Sequence, residues 1–210
     1  MSLHDYHFVT RWRVVGTVRE VADILGNGAE LPRWWPSVYL EAEELLPGGE
    51  GGVGKVVRVL TKGWLPYTLS WQFRVTESRH PFGFALETAG DLTGSGVWTF
   101  EQDGAWVHIT YDWRIEARKP FLRVLAPLLR PAFTANHRWA MRQGERSLAI
   151  ELERRRAAPG ERNLRLAAPP TANSPVAVLL AAAGLAFAAA FAVRRLSKRR
   201  RHRRRFWIGR

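Results

Sequence analysis

The chain has no cysteine and only two methionines in 210 residues. Without thiols there is no disulfide, no thiolate nucleophile and no cysteine-ligated metal. Six histidines are present, and the one close pair, His4 and His7, falls in a strand-like segment and not a helix, so no metal site and no cofactor are expected. Acidic side chains are scarce beside basic ones, 19 against 32, for a net charge of +13. The surplus is local: residues 1–156 carry a net +2, residues 157–193 add +1, and ten Lys/Arg crowd into the final 17 positions. A nucleic-acid binder spreads basic charge over one face of its domain. A near-neutral body with a cationic end disfavours nucleic acid as partner.

Charge of either sign is missing from Val176 to Val193. A run of 18 approaches the roughly 20 apolar residues that cross a bilayer as a helix. Nine of the 18 are Ala and one is Gly184, so the run is weakly hydrophobic, and an Ala-rich helix packed on protein is the competing reading. No polar face breaks the run, and a soluble helix needs one. Arg194, Arg195, Lys198, Arg199, Arg200, Arg201, Arg203, Arg204 and Arg205 follow directly. Anionic headgroups attract such a juxtamembrane cluster by about 1 kcal/mol per basic residue. The expected organisation is a domain at 1–156, a Pro/Ala-rich linker at 157–175, a transmembrane or membrane-lying helix at 176–193, and a polybasic tail at 194–210. The expected partner is a membrane with anionic lipids. Met1–Asp5 has no leader character, and the basic cluster favours the cytoplasmic side. The domain is therefore expected in the cytoplasm, at a bacterial inner membrane, with the tail lying on or inserting shallowly into its inner face.

Aromatic residues are abundant. Twenty of the 24, including nine of ten Trp, lie within residues 1–156. Strand periodicity runs through that segment, with Tyr6, Phe8, Trp12 and Val14 alternating with polar positions. Thr17 is positioned to cap a short helix, 18–25, with Glu20 completing a capping box. A second short helix is expected over 29–35, ended by Pro36. Strands are expected at 37–46, 53–62, 65–77, 82–89, 92–102 and 105–117, joined by Gly- and Pro-containing turns. Tyr67, Leu69, Trp71, Phe73 and Val75 share one face, as do Val107, Ile109, Tyr111, Trp113 and Ile115. Gly94 and Gly96 fall on the face that bears Trp98, where a bend or a close approach is expected. From Ala132 to Arg156, Phe133, His137, Met141, Gly144, Leu148 and Leu152 recur at helical spacing. Pro120, Pro127 and Pro131 come before it, so 121–130 is expected to be at most a separate short helix or lid.

This order of elements, an α+β arrangement, resembles the START/Bet v 1-like helix-grip superfamily, and within it the polyketide cyclase/dehydrase-like SRPBCC proteins. The resemblance rests on Glu20–Leu25 followed by Leu31–Pro32–Arg33–Trp34–Trp35–Pro36. Lys62–Gly63–Trp64–Leu65–Pro66–Tyr67, Gly96–Val97–Trp98–Thr99–Phe100 and Asn136–His137–Arg138–Trp139–Ala140–Met141 add to it. It implies a curved antiparallel sheet of about seven strands around a long C-terminal helix, with two short helices after the first strand. It extends over residues 5–156 and does not reach the C-terminal hydrophobic helix. The fold hosts cyclases, lipid carriers and receptors alike, so it does not choose an activity.

Gly49–Gly54 matches G-x-G-x-x-G in form, yet Lys55–Leu60 behind it is strand-like, so a hairpin turn is expected and not a phosphate loop. Asp112 and His108 lie on a polar strand face and are expected to be solvated. His137 is the one titratable group on the apolar stripe of the long helix. It is either a core histidine or a group that hydrogen-bonds a ligand or moves protons. Trp35, Tyr39, Tyr67, Trp71, Phe84, Trp98 and Trp113 either fill the core or line an apolar cavity, and the resemblance favours the cavity. With Phe133, His137 and Met141 they form the expected site for a hydrophobic small molecule, a lipid, isoprenoid or polyketide-like compound. The readings left open are a membrane-tethered binding protein and a cyclase or aromatase using the same cavity. A scaffold whose basic tail contacts nucleic acid is the weaker third.

Overall fold

The alternating faces become one antiparallel sheet in the computed structural model, which describes residues 5–117 and 126–157. Its strands are β1 (Asp5–Val15), β2 (Tyr39–Leu46), β3 (Val56–Lys62), β4 (Thr68–Ser78), β5 (Gly83–Gly90), β6 (Leu92–Asp103) and β7 (Trp106–Ala117). Their spatial order is β1-β7-β6-β5-β4-β3-β2. Short turns suffice from β2 to β7 because each strand pairs with the next in sequence. β1 lies at the opposite edge from β2, so the chain between them has to cross the whole sheet. Two short helices make that crossing, α1 (Val18–Leu25) and α2 (Leu31–Trp34), with a 3-10 turn at Gly28–Glu30. The Glu50–Gly52 turn, with φ of 63° at Gly51 and 80° at Gly52, joins β2 to β3 as a glycine-rich hairpin.

The Thr17 capping box forms as the sequence indicates: Glu20 N–H donates to Thr17 Oγ1 at 3.3 Å, and Thr17 N–H donates to Glu20 Oε2 at 2.8 Å. The long helix departs from expectation at its start. α3 runs Ala126–Arg156 with Pro131 inside it, six residues earlier than Ala132. The physical reason is position: Pro131 stands in the second turn and removes only one N–H, which would have reached back to residue 127. Residues 121–125, part of the expected lid, lie outside the described residues.

α3 lays Phe133, His137, Met141, Gly144, Leu148 and Leu152 against the concave face of the sheet, where all are buried. The sheet curves because register breaks between Val75 and Glu77 in β4, and at two places in β2, insert residues that bend the strands. The close approach expected at Gly96 is real, and the approaching body is Tyr111. A methyl group there would sit 2.6 Å from its hydroxyl. Gly94 has φ of 153° and backs onto the Arg114 carbonyl, which no larger residue could do.

Two ion-pair clusters fasten α3 to the crossing helices. Arg156 donates to both oxygens of Glu20 at 2.7 Å, holding the end of α3 to the start of α1. This lowers the Glu20 carboxyl to about 2, the Arg156 hydrogen bonds being the main cause. Glu151, 2% exposed, accepts from Arg33 at 2.6 and 3.1 Å and from Arg155 at 2.8 Å. Burial alone would raise its pKa, but those hydrogen bonds outweigh burial and hold it below the carboxylate norm.

Among the described residues no helix is long and apolar enough to cross a membrane. The linker at 157–175 (beyond Ala157), the run at 176–193 and the basic cluster Arg194–Arg205 lie outside the described residues.

Candidate ligand-binding site

Where the sheet curls toward α3, it leaves a cavity of about 120 Å³. Trp35 enters from the end of α2 and Tyr39 from the start of β2. Trp71, Phe84, Trp98 and Trp113 come from β4, β5, β6 and β7, and Tyr67 comes from the β3–β4 loop. Phe133, His137 and Met141 close the cavity from α3. All ten residues singled out from sequence thus converge on one cavity. Its volume is close to the roughly 150 Å³ of an apolar cavity that takes a benzene-sized guest. A guest the size of one ring matches that volume.

The wall is built by stacking. Trp98 and Tyr111 lie face to face at 4.0 Å between centroids with 10° between planes, and Tyr39 meets the Trp35 edge at 5.2 Å. His137 is stacked on Phe8 at 4.0 Å and tilted against Trp113 at 5.4 Å. Its Nε2 lies 3.4 Å from Thr10 Oγ1, a long contact whose direction follows the tautomer. Burial, helped by neighbouring Arg138, lowers the His137 pKa to about 4. The imidazole is therefore neutral at pH 7. His108 and Asp112 point outward, where Asp112 Oδ1 is 3.0 Å from His7 Nε2 and His108 is paired with Asp103.

Thirteen further residues line the cavity, among them Tyr111, Thr61 and Asn136 with polar groups that the sequence did not single out. Tyr111 was in view as part of the β7 apolar face, and its burial raises its phenol pKa well above normal. Thr61 occupies an apolar-parity position of β3, where it accepts the Trp71 indole N–H at 2.9 Å and donates to the Leu69 carbonyl at 3.3 Å. Asn136 precedes His137 and accepts from the Trp64 and Leu65 backbone N–H groups at 2.8 and 3.3 Å, holding the β3–β4 loop against α3. A threonine or asparagine facing inward gives no periodic signal, since only its tertiary partners make burial tolerable. The indole N–H groups of Trp35 and Trp113 find no acceptor among the described residues. Nor does any group of three or more His, Asp or Glu gather there as a metal site would require.

No family model matches the chain, and no curated protein matches it. Solved structures do. The Zhui aromatase/cyclase from Streptomyces sp. R1128 superposes with a TM-score of 0.58 at 19% identity, over 75% of this chain and 99% of that one. A protein from Thermus thermophilus gives 0.59 at 13% identity, over 72% and 100%. The di-domain ARO/CYC BexL of the BE-7585A biosynthetic pathway gives 0.53 at 15% identity, with 75% of this chain spanning 52% of that one. This is the helix-grip fold. At such identities the likeness establishes architecture and leaves the chemistry to the residues of this cavity.

Proposed function

We propose that the domain binds a small hydrophobic molecule between its sheet and α3, and that residues 176–210 hold it at a membrane with anionic lipids, on the cytoplasmic side. The observation that carries the binding reading is the convergence of aromatic side chains from α2, α3 and five strands on one cavity. Core packing would have closed that space, because native interiors leave few voids larger than a water. The support for the tether is the uncharged run at 176–193 followed by nine basic residues before Phe206.

Filling the cavity tests the first part. Leu86 lines the wall from β5, and Leu86→Trp puts an indole into the space. Native mass spectrometry of the full chain should find a small apolar molecule on the wild type and none on the variant. Equal ligand loading of both would overturn the reading. For the second part, deletion of residues 176–210 should move the protein from the membrane fraction to the supernatant, since burial of the apolar run supplies most of the hold. Continued sedimentation of the truncated chain with membranes would remove the tether.

A cyclase-like activity is the alternative in the same cavity. It would need a group that exchanges protons near neutrality. Among the described lining residues His137 is neutral far above its value of about 4, and burial keeps the Tyr39, Tyr67 and Tyr111 phenols protonated. Binding without turnover fits these groups better. A turnover that fell roughly 10²–10⁴-fold in His137→Leu would reverse that preference.

A further inference from the structure

Within the binding reading, on which this inference rests, one residue of the wall has space on two sides. Phe84 of β5 lines the main cavity and also a second pocket of about 60 Å³, and no other described residue is common to both. α1 runs past both spaces, with Leu25 lining the main cavity and Ala22 and Gly26 the second pocket. The two differ in character. On the main side Phe84 shares the wall with Leu31, Phe73 and Leu86. On the far side stand the glycine-rich turn at Gly51 and Gly52, with Lys55, Ser78 and His80. The charges there are already paired, Lys55 Nζ 3.6 Å from Glu44 Oε2 and His80 Nε2 2.9 Å from Asp23 Oδ1. The ring is held from β6 by Trp98 at 6.3 Å and, edge-on, by Phe100 at 6.2 Å. Its partner across the β4–β5 ladder is Ser78, whose small side chain leaves the second pocket open behind it.

We propose that Phe84 is the specificity-determining residue of the site. It is a partition that stops an apolar ligand from growing out of the main cavity toward the β2–β3 hairpin. It thereby selects a compact guest over one that carries a long chain. A methylene that meets the ring can advance only by overpacking the wall or pushing the ring aside. Behind the ring it would come to lie against polar groups, where an apolar chain strips water from them and returns no hydrogen bond. Removing the ring joins the two spaces into one elongated site.

The test is a chain-length series, 4-alkylphenols from methyl to octyl, titrated calorimetrically into the full chain. Each methylene that is buried should tighten binding about fourfold. In the wild type that gain should stop within the series, with octylphenol no tighter than butylphenol. In Phe84→Ala it should run about three carbons further, so that octylphenol binds roughly 50-fold more tightly than to the wild type. Phe84→Leu, the milder change should the alanine variant fail to fold, should move the limit in the same direction by about one carbon. Adding Ser78→Phe to Phe84→Ala puts a ring back on the far side and should restore the wild-type limit. A wild-type gain that continues to octyl, or Phe84 variants with an unmoved limit, would overturn the partition and leave the binding reading standing. So would a double variant that keeps the extended limit, since the chain would then be growing elsewhere. Failure of the wild type to bind any member of the series would overturn both.

Discussion

Gly144→Leu is expected to lower stability by about 3 kcal/mol, the upper end of overpacking costs. In a chain of this size that lowers the melting temperature by roughly 6–12 °C. Glycine inside a helix ordinarily costs up to about 1 kcal/mol relative to alanine, so its place in the middle of α3 needs a tertiary cause. The cause is Trp35. Its indole lies so close to the Gly144 backbone that even a methyl group would overlap three ring atoms, one of them at 2.7 Å. The indole cannot retreat, because Trp12 at 5.5 Å, Trp34 at 5.5 Å and Tyr39 at 5.2 Å hold it on other sides. Gly144→Ala should also destabilise, by less, since a gain in helix propensity opposes the overlap. The decisive measurement is the double variant. Trp35→Ala opens the space that the leucine needs, so Trp35→Ala with Gly144→Leu should melt higher than the sum of the single losses allows. Strict additivity would mean that the two residues do not share that contact.

The same contact shows how far the sequence could be read. Gly144 falls on the α3 stripe with Phe133, His137 and Leu148, so its inward facing was legible from spacing. Its partner was not, since Trp35 lies 109 positions earlier on a different element. The β4 and β7 faces were legible to the residue because strict alternation leaves no second register for a half-buried strand. The start of α3 was misjudged because Pro131 looks like a terminator, and only the position of the first helical residue shows that it stands in the second turn. The Trp and Phe members of the cavity were found by their bulk and parity. Tyr111 escaped because its parity made it look like core, and nothing local marks a strand tyrosine that lines a cavity. Thr61 and Asn136 escaped for a related reason: their burial depends on Trp71 and on the β3–β4 loop, contacts made ten and more residues away in sequence. Glu151 carries the same lesson in charge, as it reads as a solvated helix residue until Arg33 arrives from α2.

Acidification from pH 7 to pH 4.5 is expected to cost most of the stability that depends on His137, and His137→Leu should abolish that cost. In the unfolded chain the imidazole titrates near its ordinary value of 6.5, and in the folded chain near 4. Between those values the unfolded state binds a proton that the folded state refuses, so stability falls as pH falls. Above pH 6.5 the group is neutral in both states and contributes no slope. Below about 4 it is charged in both, and the loss is complete, at about 3 kcal/mol. Burial is the main penalty on the extra proton and Arg138 adds repulsion, which the aromatic faces of Phe8 and Trp113 and the long Thr10 contact do not offset. Glu20 titrates in a different window. Its folded pKa of about 2 adds stability that is present above 4.5 and is lost only as pH falls below that value. Thermal melts of the full chain at half-unit intervals separate the two. The wild type should lose melting temperature steadily from pH 6.5 downward, whereas His137→Leu should stay level until about pH 4.5 and then fall with the carboxylates. A wild-type curve already level down to pH 4.5 would show that the folded imidazole takes up its proton without penalty. His137 would then face water or an unseen acceptor, in contradiction to its stacked and buried place between Phe8 and Trp113.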